Sequence, residues 1–316
     1  MRSILIILLL VNSMACVTVH NKRHAAAVLT LQDSYCKPPG TVVAASVPIS
    51  GNADTILAAN NDLRSRFSVP GILMLHALGL TADIHRLLRL QADTDLASRV
   101  QVLEIKTHVN SQLLGAMADI NATAAELDCE GERVDQVVSY IDSRNAARNN
   151  KLVVASIALG AAAAIAGALI SNDDLNKGVA IGAGGIGAGL GLATLNPKGK
   201  KMAFYHHRNL LRAVWTGKVD SCFSPFIGYM LTEKHFSNSG TASLLQNLKK
   251  RWIAYQFEGD EQQGAQSVIF TDGGIYRSDD LHARAAMTNQ LQAVIRAVSQ
   301  QLHDLLLEMN NITTAH

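Results

Sequence analysis

Apolar residues recur at alternating steps of four and three through the middle of the chain. The stripe comprises Leu113, Met117, Ile120, Ala124, Leu127, Gly131, Val134, Val138 and Ile141. This heptad spacing is typical of a long helix packed along another helix. Acidic residues, among them Asp119 and Glu126, occupy the other faces. The pattern predicts a helix over residues 94–148, either as a coiled-coil stalk or as an ordinary amphipathic helix of a bundle.

A second periodic stretch lies near the end of the sequence. Asp279 and Asp280 can cap a helix that runs to about Met309. Its apolar face comprises Leu291, Val294, Ile295, Val298, Leu302, Leu305, Leu306 and Met309. We expect this helix to pack against the helix of residues 94–148, because both apolar stripes would then be buried.

Two uncharged apolar runs follow the first long helix. Residues 152–170 form the first apolar run and residues 178–195 the second, and the polar residues 171–177 separate them. Each run approaches the roughly 20 residues that a membrane-spanning helix needs. The pattern predicts a helical hairpin that buries its apolar surface in lipid, in a partner or within the protein itself.

Small residues recur four apart in both apolar runs. The glycines concerned are Gly160, Gly178, Gly182, Gly185, Gly187, Gly189 and Gly191. Glycine disfavours a helix in water by about 1 kcal/mol relative to Ala, whereas this spacing lets helices approach closely in lipid. We therefore expect these glycines to pack the two runs together. The segment resembles the glycine-zipper hairpins of bacterial envelope lipoproteins, and it is also similar to the apolar hairpins of helical pore-forming toxins.

The rest of the chain reads as mixed structure. Helices are predicted over residues 53–67, 203–216 and 241–256, and a small β-hairpin joins residues 267–270 to 274–276. The fold class is therefore mainly α, with long helices in a coiled-coil-like bundle, an apolar helical hairpin and a small β-hairpin. The predicted segments are a signal peptide (1–15), an N-terminal mixed segment (16–70), a helical stalk (71–150), the hairpin (151–197), a mixed α/β segment (198–278) and a C-terminal amphipathic helix (279–316).

The first residues have the pattern of an export signal. Arg2 precedes the apolar residues 4–11, and Ser13 and Ala15 supply the small residues that a signal peptidase reads. Cys16 follows Ala15 directly, as in lipoprotein signals, where this cysteine becomes acylated. Lipoproteins usually carry Leu where this chain has Ser13. Export is the expectation, and lipidation of Cys16 and simple cleavage both stay open.

The four cysteines allow more than one disulfide pattern. An oxidising compartment favours pairing, and Cys36 and Cys222 are the predicted pair because both lie in non-periodic stretches. Cys129 lies in a strongly helical region, where we expect a small buried apolar residue.

Charge adds information about location. The formal net charge is only +2, which gives no reason to expect a nucleic-acid partner. Basic residues flank the hairpin at both open ends: Arg144, Arg148 and Lys151 before it, and Lys198, Lys200 and Lys201 after it. In an inner membrane such ends face the cytoplasm, whereas the signal peptide directs the chain outward. The two signals agree if the hairpin inserts in an outer membrane or a target membrane.

Residues with catalytic or ligand-binding potential form no recognisable site. Residues 182–187 match G-x-G-x-x-G, but residues 196–219 lack the acidic residue that a dinucleotide site requires. His206, His207, Cys222 and His235 fit no zinc spacing, so we interpret the histidines as surface residues. Five aromatic residues are expected to pack in the core, with a docking surface or interfacial belt as the alternative: Trp215, Phe223, Phe226, Tyr229 and Trp252.

The leading hypothesis is a non-enzymatic exported protein of the bacterial envelope, anchored in a membrane as a helical scaffold. Its expected partners are membrane lipid and either further copies of itself or another envelope protein; no cofactor and no metal are expected. The outer membrane is the favoured location. The alternatives are a secreted pore-forming or membrane-inserting protein, and an envelope hydrolase with an unrecognised site.

Overall fold

A computed structural model of the protein describes most of the chain after residue 51. The described residues are 36, 52–91, 93, 95–169, 178, 181–182, 184–189, 192, 199–206, 208–220 and 222–313. The predicted signal peptide, Cys16 and the polar residues 171–177 lie outside the described residues. Within the described part the fold is mainly α, as the sequence predicts.

One helix of 74 residues, α4 (Leu96–Leu169), runs through the middle of the chain. It contains the whole of the predicted 94–148 helix except its first two residues, and it continues into the first apolar run. The predicted heptad stripe is buried, with Leu113, Ile120 and Leu127 each at most 4% exposed. Met117 is the exception at 37% exposed, and Ala116 is buried beside it. The stripe is therefore the side of α4 that packs against the rest of the protein.

Among the described residues, three short helices precede α4: α1 (Ala53–Ala59), α2 (Val69–Ala77) and α3 (Thr81–Leu90), with a 3-10 turn at Asn61–Ser65 after α1. The sequence predicts one helix over residues 53–67, but α1 ends at Ala59. Pro70 occupies the first turn of α2, where its missing N–H costs no helical hydrogen bond. The hydroxyl of Ser68 caps that helix by accepting the Gly71 N–H.

Four further helices follow the apolar runs: α5 (Leu210–Thr216), α6 (Pro225–Thr232), α7 (Leu244–Gln256) and α8 (Glu261–Ala265). The predicted helices over 203–216 and 241–256 correspond to α5 and α7. Ser243 and Gln246 form a capping box at the start of α7, each side chain accepting the backbone N–H of the other. Gly217 ends α5 with a left-handed backbone, φ 73°, which glycine adopts without strain.

The small sheet has two antiparallel strands, β1 (Met202–Tyr205) and β2 (Gly273–Tyr276). The sequence correctly places a strand at 274–276, but its partner is β1 and not residues 267–270. Val268–Phe270 is a 3-10 turn, so these residues are unavailable for pairing. Gly274 lies close to Val268: a Cβ atom added at residue 274 would be 3.0 Å from the Val268 side chain.

The last helix, α9 (Ser278–Thr313), follows β2 directly. Asp280, the third residue of α9, accepts a hydrogen bond from the Arg277 N–H at 2.9 Å, as the third residue of a capping box does. The predicted apolar face is buried at Leu291, Val298 and Leu302, each 0% exposed.

The chain forms two compact units. Unit 1 comprises residues 134–204 and 275–282 in its described part, and unit 2 comprises residues 34–133, 205–274 and 283–316. Within unit 2, Gln292 of α9 donates hydrogen bonds to the Ala124 carbonyl (3.3 Å) and to Asp128 (2.9 Å) of α4. The predicted packing of the C-terminal helix against the long helix is therefore present in unit 2.

Candidate functional site

The first apolar run extends α4 to Leu169 with its large side chains in the open. Val154, Ile157 and Ile165 are 65%, 66% and 62% exposed. These residues span about three helical turns with no charged residue between them. A contiguous exposed apolar surface marks a site that binds a membrane or another protein. The end of α4 is therefore the strongest candidate for a functional surface.

The second apolar run is described in part. Residues 178, 181–182, 184–189 and 192 are helical, and Ile181 and Leu192 are 76% and 68% exposed. Gly191 lies outside the described residues. Searching only the residues that the structure describes, we found no helix with a stretch sufficiently long and apolar to cross a membrane.

The glycines of the two runs have open space around them among the described atoms. A Cβ placed on Gly160, Gly182 or Gly185 would meet no described heavy atom within 4 Å, and the same holds for Gly178, Gly187 and Gly189. Packing of the two runs through these glycines stays a prediction. Larger residues at these positions would meet no obstacle among the described atoms, so an effect of such a substitution would report on packing against something else.

The chain returns to α4 immediately after the second run. The backbone N–H of Lys200 donates to the side-chain oxygen of Asn145 at 2.8 Å. A Cβ on Gly199 would lie 3.1 Å from the amide nitrogen of Asn145. Residue 200 therefore contacts α4 about two turns before the first apolar run begins. The hairpin itself stays a prediction, because the residues that join the two runs lie outside the described residues.

Basic side chains surround this return point. Lys200 donates to the Tyr140 hydroxyl at 2.9 Å, and its ammonium lies 4.4 Å from the centre of the ring. Arg144 donates to the same hydroxyl at 3.4 Å. The hydrogen bond from Lys200, helped by that from Arg144, lowers the pKa of Tyr140. Lys151 and Lys201 are exposed nearby in sequence, so the open end of the apolar segment is positively charged.

Asp142 joins α9 to α4 within unit 1. Its carboxylate accepts hydrogen bonds from the Ser278 hydroxyl and from His282 Nε2, the latter at 2.9 Å. The serine and the histidine both bind the carboxylate, whereas in a catalytic triad the histidine lies between the other two groups. The two hydrogen bonds hold the start of α9 against α4, and the three side chains are not arranged as a catalytic triad.

A buried polar cluster in unit 2 comprises His206, Asn209, Arg133 and Arg284, each at most 8% exposed. Asn209 caps α5 through its oxygen and donates from its amide to the carbonyls of Ile269 (2.8 Å) and Thr271 (2.7 Å). Arg284 donates to the Ile269 carbonyl at 3.0 Å, and Arg133 donates to the Tyr205 carbonyl at 3.1 Å. The cluster satisfies backbone carbonyls that β1, the 3-10 turn and their loops leave open.

His206 is the least expected member of this cluster. Burial, together with the charges of Arg284, Arg133 and Arg212, lowers the pKa of its imidazole to about 2. The interpretation of the histidines as surface residues is wrong for His206, which is 8% exposed. Its backbone N–H donates to the carbonyl of Asp272, the residue before β2, and so continues the pairing of the two strands by one residue. At neutral pH the imidazole is uncharged, which suits a structural role.

Glu126 of α4 forms a bidentate ion pair with Arg208, with Oε1 3.0 Å from Arg208 Nε. The sequence places Glu126 on an outer face, but the structure buries it to 6% exposure. Desolvation raises its pKa, against the opposing effect of the Arg208 hydrogen bonds. A buried carboxylate requires such a partner because an unpaired buried charge is strongly destabilising.

The other candidate metal ligands do not assemble. His235 Nδ1 lies 2.6 Å from Glu233 of the same turn, Cys222 is half-buried, and His207 lies outside the described residues. Among the described residues, no group of three or more His, Cys, Asp or Glu side chains could hold a metal ion.

The disulfide differs from the predicted one. Cys36 pairs with Cys129, and their Cα atoms are 5.6 Å apart. The predicted Cys36–Cys222 pairing is therefore wrong. Cys129 lies on α4, and the bridge ties Cys36, 93 residues earlier in the chain, to that helix within unit 2. The position of Cys129 in a strongly helical stretch did not indicate that this cysteine would be paired.

The aromatic residues belong to the core of unit 2, as favoured from the sequence. Trp252 is 0% exposed and Phe226 is 1% exposed. Trp215 stacks on Phe270 with a centroid distance of 4.4 Å. Tyr229 is half-buried against Phe236, and burial raises the pKa of its hydroxyl to about 12. These side chains are occupied within the protein and do not form an interfacial belt.

Comparison with known proteins gives no further guide, since no protein-family model, no curated protein and no solved structure matches this chain.

Proposed function

We propose that this chain is a non-enzymatic, exported helical scaffold of the bacterial cell envelope, attached to a membrane by its two apolar runs. In this role the apolar runs, including the last part of α4, enter lipid as a hairpin, and residues outside them form an interaction surface. The likeness of the runs to glycine-zipper lipoproteins supports an outer-membrane location.

One observation carries the proposal. The last part of α4 is an uncharged apolar stretch with exposed Val154, Ile157 and Ile165, and the chain contacts Asn145 of α4 again at Lys200. Burying side chains of this size stabilises by about 1.5–3 kcal/mol each, so exposure to water is costly and lipid removes that cost. The basic residues at the open end suit contact with anionic lipid head groups.

Lipid on Cys16 would add a second anchor. Each CH₂ group of an acyl chain that is buried in the bilayer adds about 0.8 kcal/mol to membrane binding, which would add to the attachment by the apolar hairpin. Incorporation of a fatty-acid analogue, compared between the wild type and Cys16→Ala, tests this part of the proposal by itself.

Membrane retention is tested with two matched double variants of α4. Val154→Asp with Ile157→Asp places two charges in the first apolar run; Val100→Asp with Leu103→Asp places two charges at the same spacing on an exposed part of α4 outside it. An Asp in a membrane helix is costly, up to about 2.5–3.5 kcal/mol at the helix centre. Both pairs are made in a Cys16→Ala background, so that a lipid on Cys16 cannot hold the protein on the membrane. We expect the first pair to move the protein from the washed-membrane fraction to the soluble fraction and the second pair to leave it with the membranes.

Equal retention of both double variants would overturn the proposal. Gly185→Leu and Gly187→Leu then separate packing from simple insertion: loss of assembly with retained membrane binding supports the glycine packing. Soluble wild-type protein that releases dye from liposomes would replace the scaffold by the secreted membrane-inserting alternative.

A further inference from the structure

The first part of α4 carries a second heptad stripe, on the side away from the core. The core side at this level is formed by Ile105, Val109 and Leu113, each at most 5% exposed. The outer stripe runs through residues 96–117 at alternating steps of four and three. It belongs to unit 2 throughout. Its surface is distinct from the apolar runs.

The residue types follow the coiled-coil pattern. Counting the stripe as heptad core positions a and d places Val100, Thr107 and Leu114 at a. The d positions are then Leu96, Leu103, Asn110 and Met117. Leu96, Leu103 and Leu114 are 76%, 66% and 67% exposed. β-Branched residues at a with Leu at d favour two-stranded, parallel coiled coils, and the first half of the stripe, with Val100 at a and Leu96 and Leu103 at d, has this composition. The Thr107 hydroxyl already donates to the Leu103 carbonyl at 2.8 Å, which leaves its methyl group for packing.

The charges beside the stripe specify what fits it. Arg99 and Lys106 occupy flanking g positions, and Glu104 occupies an e position; the side chains of Arg99 and Glu104 are exposed. In a parallel pair, g of one heptad faces e of the next heptad on the other helix, so Arg99 of one copy would face Glu104 of the other. An antiparallel pair would instead bring g positions together, which sets Arg and Lys against Arg and Lys.

We propose that residues 96–117 of α4 form a parallel two-stranded coiled coil with the same residues of a second copy of this chain. Three heptads are short for an isolated coiled coil because helix formation is costly. Here the stripe lies on a helix of 74 residues whose opposite side is packed into unit 2. Because the helix is already formed before association, the free-energy cost of ordering it does not reduce the affinity. This inference rests on the proposed scaffold function and identifies the scaffold's partner as a second copy of the chain. The residues of the stripe are different from those proposed to attach the protein to the membrane.

The experiment measures the molar mass of the full chain in detergent micelles by light scattering and sedimentation, over about 1 to 100 µM protein. We expect a dimer. Val100→Asp with Leu103→Asp should weaken the dimer about 100-fold or more, since two apolar core positions become charged. Val154→Asp with Ile157→Asp is the control and should leave the dimer intact. The same two variants give opposite results in membrane retention, so failure of either proposal is seen separately.

Charge reversal tests the parallel register. Arg99→Glu alone and Glu104→Arg alone should each weaken self-association, because like charges then face each other across the pair. Mixing the two single variants should restore the dimer as a mixed pair, and the double variant should restore it in one chain. A monomeric wild type, or single variants that associate as well as the wild type, would overturn the proposal.

Discussion

His206 should make the folding of unit 2 strongly dependent on pH. Burial holds the pKa of its imidazole at about 2, against an ordinary value of 6.5. Below pH 6.5 the unfolded chain gains a proton that the folded chain does not bind. The contribution of His206 to stability is therefore fully present above pH 6.5 and is lost progressively as the pH falls toward 2. At pH 4.5 the loss is about 2.7 kcal/mol, since each pKa unit corresponds to about 1.36 kcal/mol.

The assay is denaturant unfolding followed by tryptophan fluorescence at pH 7.5 and pH 4.5. The two tryptophans, Trp215 and Trp252, are both buried in unit 2, so the signal reports on the unit that contains His206. Between these pH values the wild type should lose about 2.7 kcal/mol more than His206→Gln, because all other groups titrate in both proteins. The control is His303→Gln, which replaces a side chain that is 69% exposed and should behave as the wild type. Equal pH dependence of His206→Gln and the wild type would refute the reasoning.

Two further substitutions test the packing of unit 2. Gly264→Ala would place a Cβ 2.4 Å from Trp215 Cη2, and we expect it to lower the free energy of unfolding by about 1–3 kcal/mol. Gln263→Ala, at an exposed position, is the control. An unchanged denaturation midpoint of Gly264→Ala would contradict the close contact. Cys36→Ser opens a bridge between residues 93 apart and should cost about 2–4 kcal/mol; Cys222→Ser keeps that bridge, and equal stability of the two variants would argue against it.

The long helices could be predicted because their signal is local and repeated. An apolar residue every three or four positions specifies one helical face wherever that face is later buried, and both α4 and α9 follow from it. The same reasoning placed the end of the first helix at 148, whereas α4 continues to Leu169. Near Leu152 the composition changes from charged to uncharged. This change affects which environment the side chains favour, but it does not interrupt the backbone hydrogen bonds, so the helix continues.

The polar cluster could not be found in the same way. Asn209 shows a partial signal, since an Asn before an apolar stretch is a common helix cap. Nothing near His206, Arg133 or Arg284 in sequence indicates that these side chains meet. They come together because β1, α4 and α9 place them so, and each of the three comes from a different part of the chain.

By itself the sequence determined the mainly helical fold, the two long amphipathic helices and the presence of two uncharged runs between them. These properties depend on residues a few positions apart, and helical hydrogen bonds join residues four positions apart. Only the tertiary structure decided that Cys36 pairs with Cys129, that β2 pairs with β1, and that His206 is buried. Each of these outcomes joins residues that lie far apart in the chain, and burial depends on every element that packs around a side chain. The periodicity of apolar residues along the chain carries no information about contacts between residues that are distant in sequence.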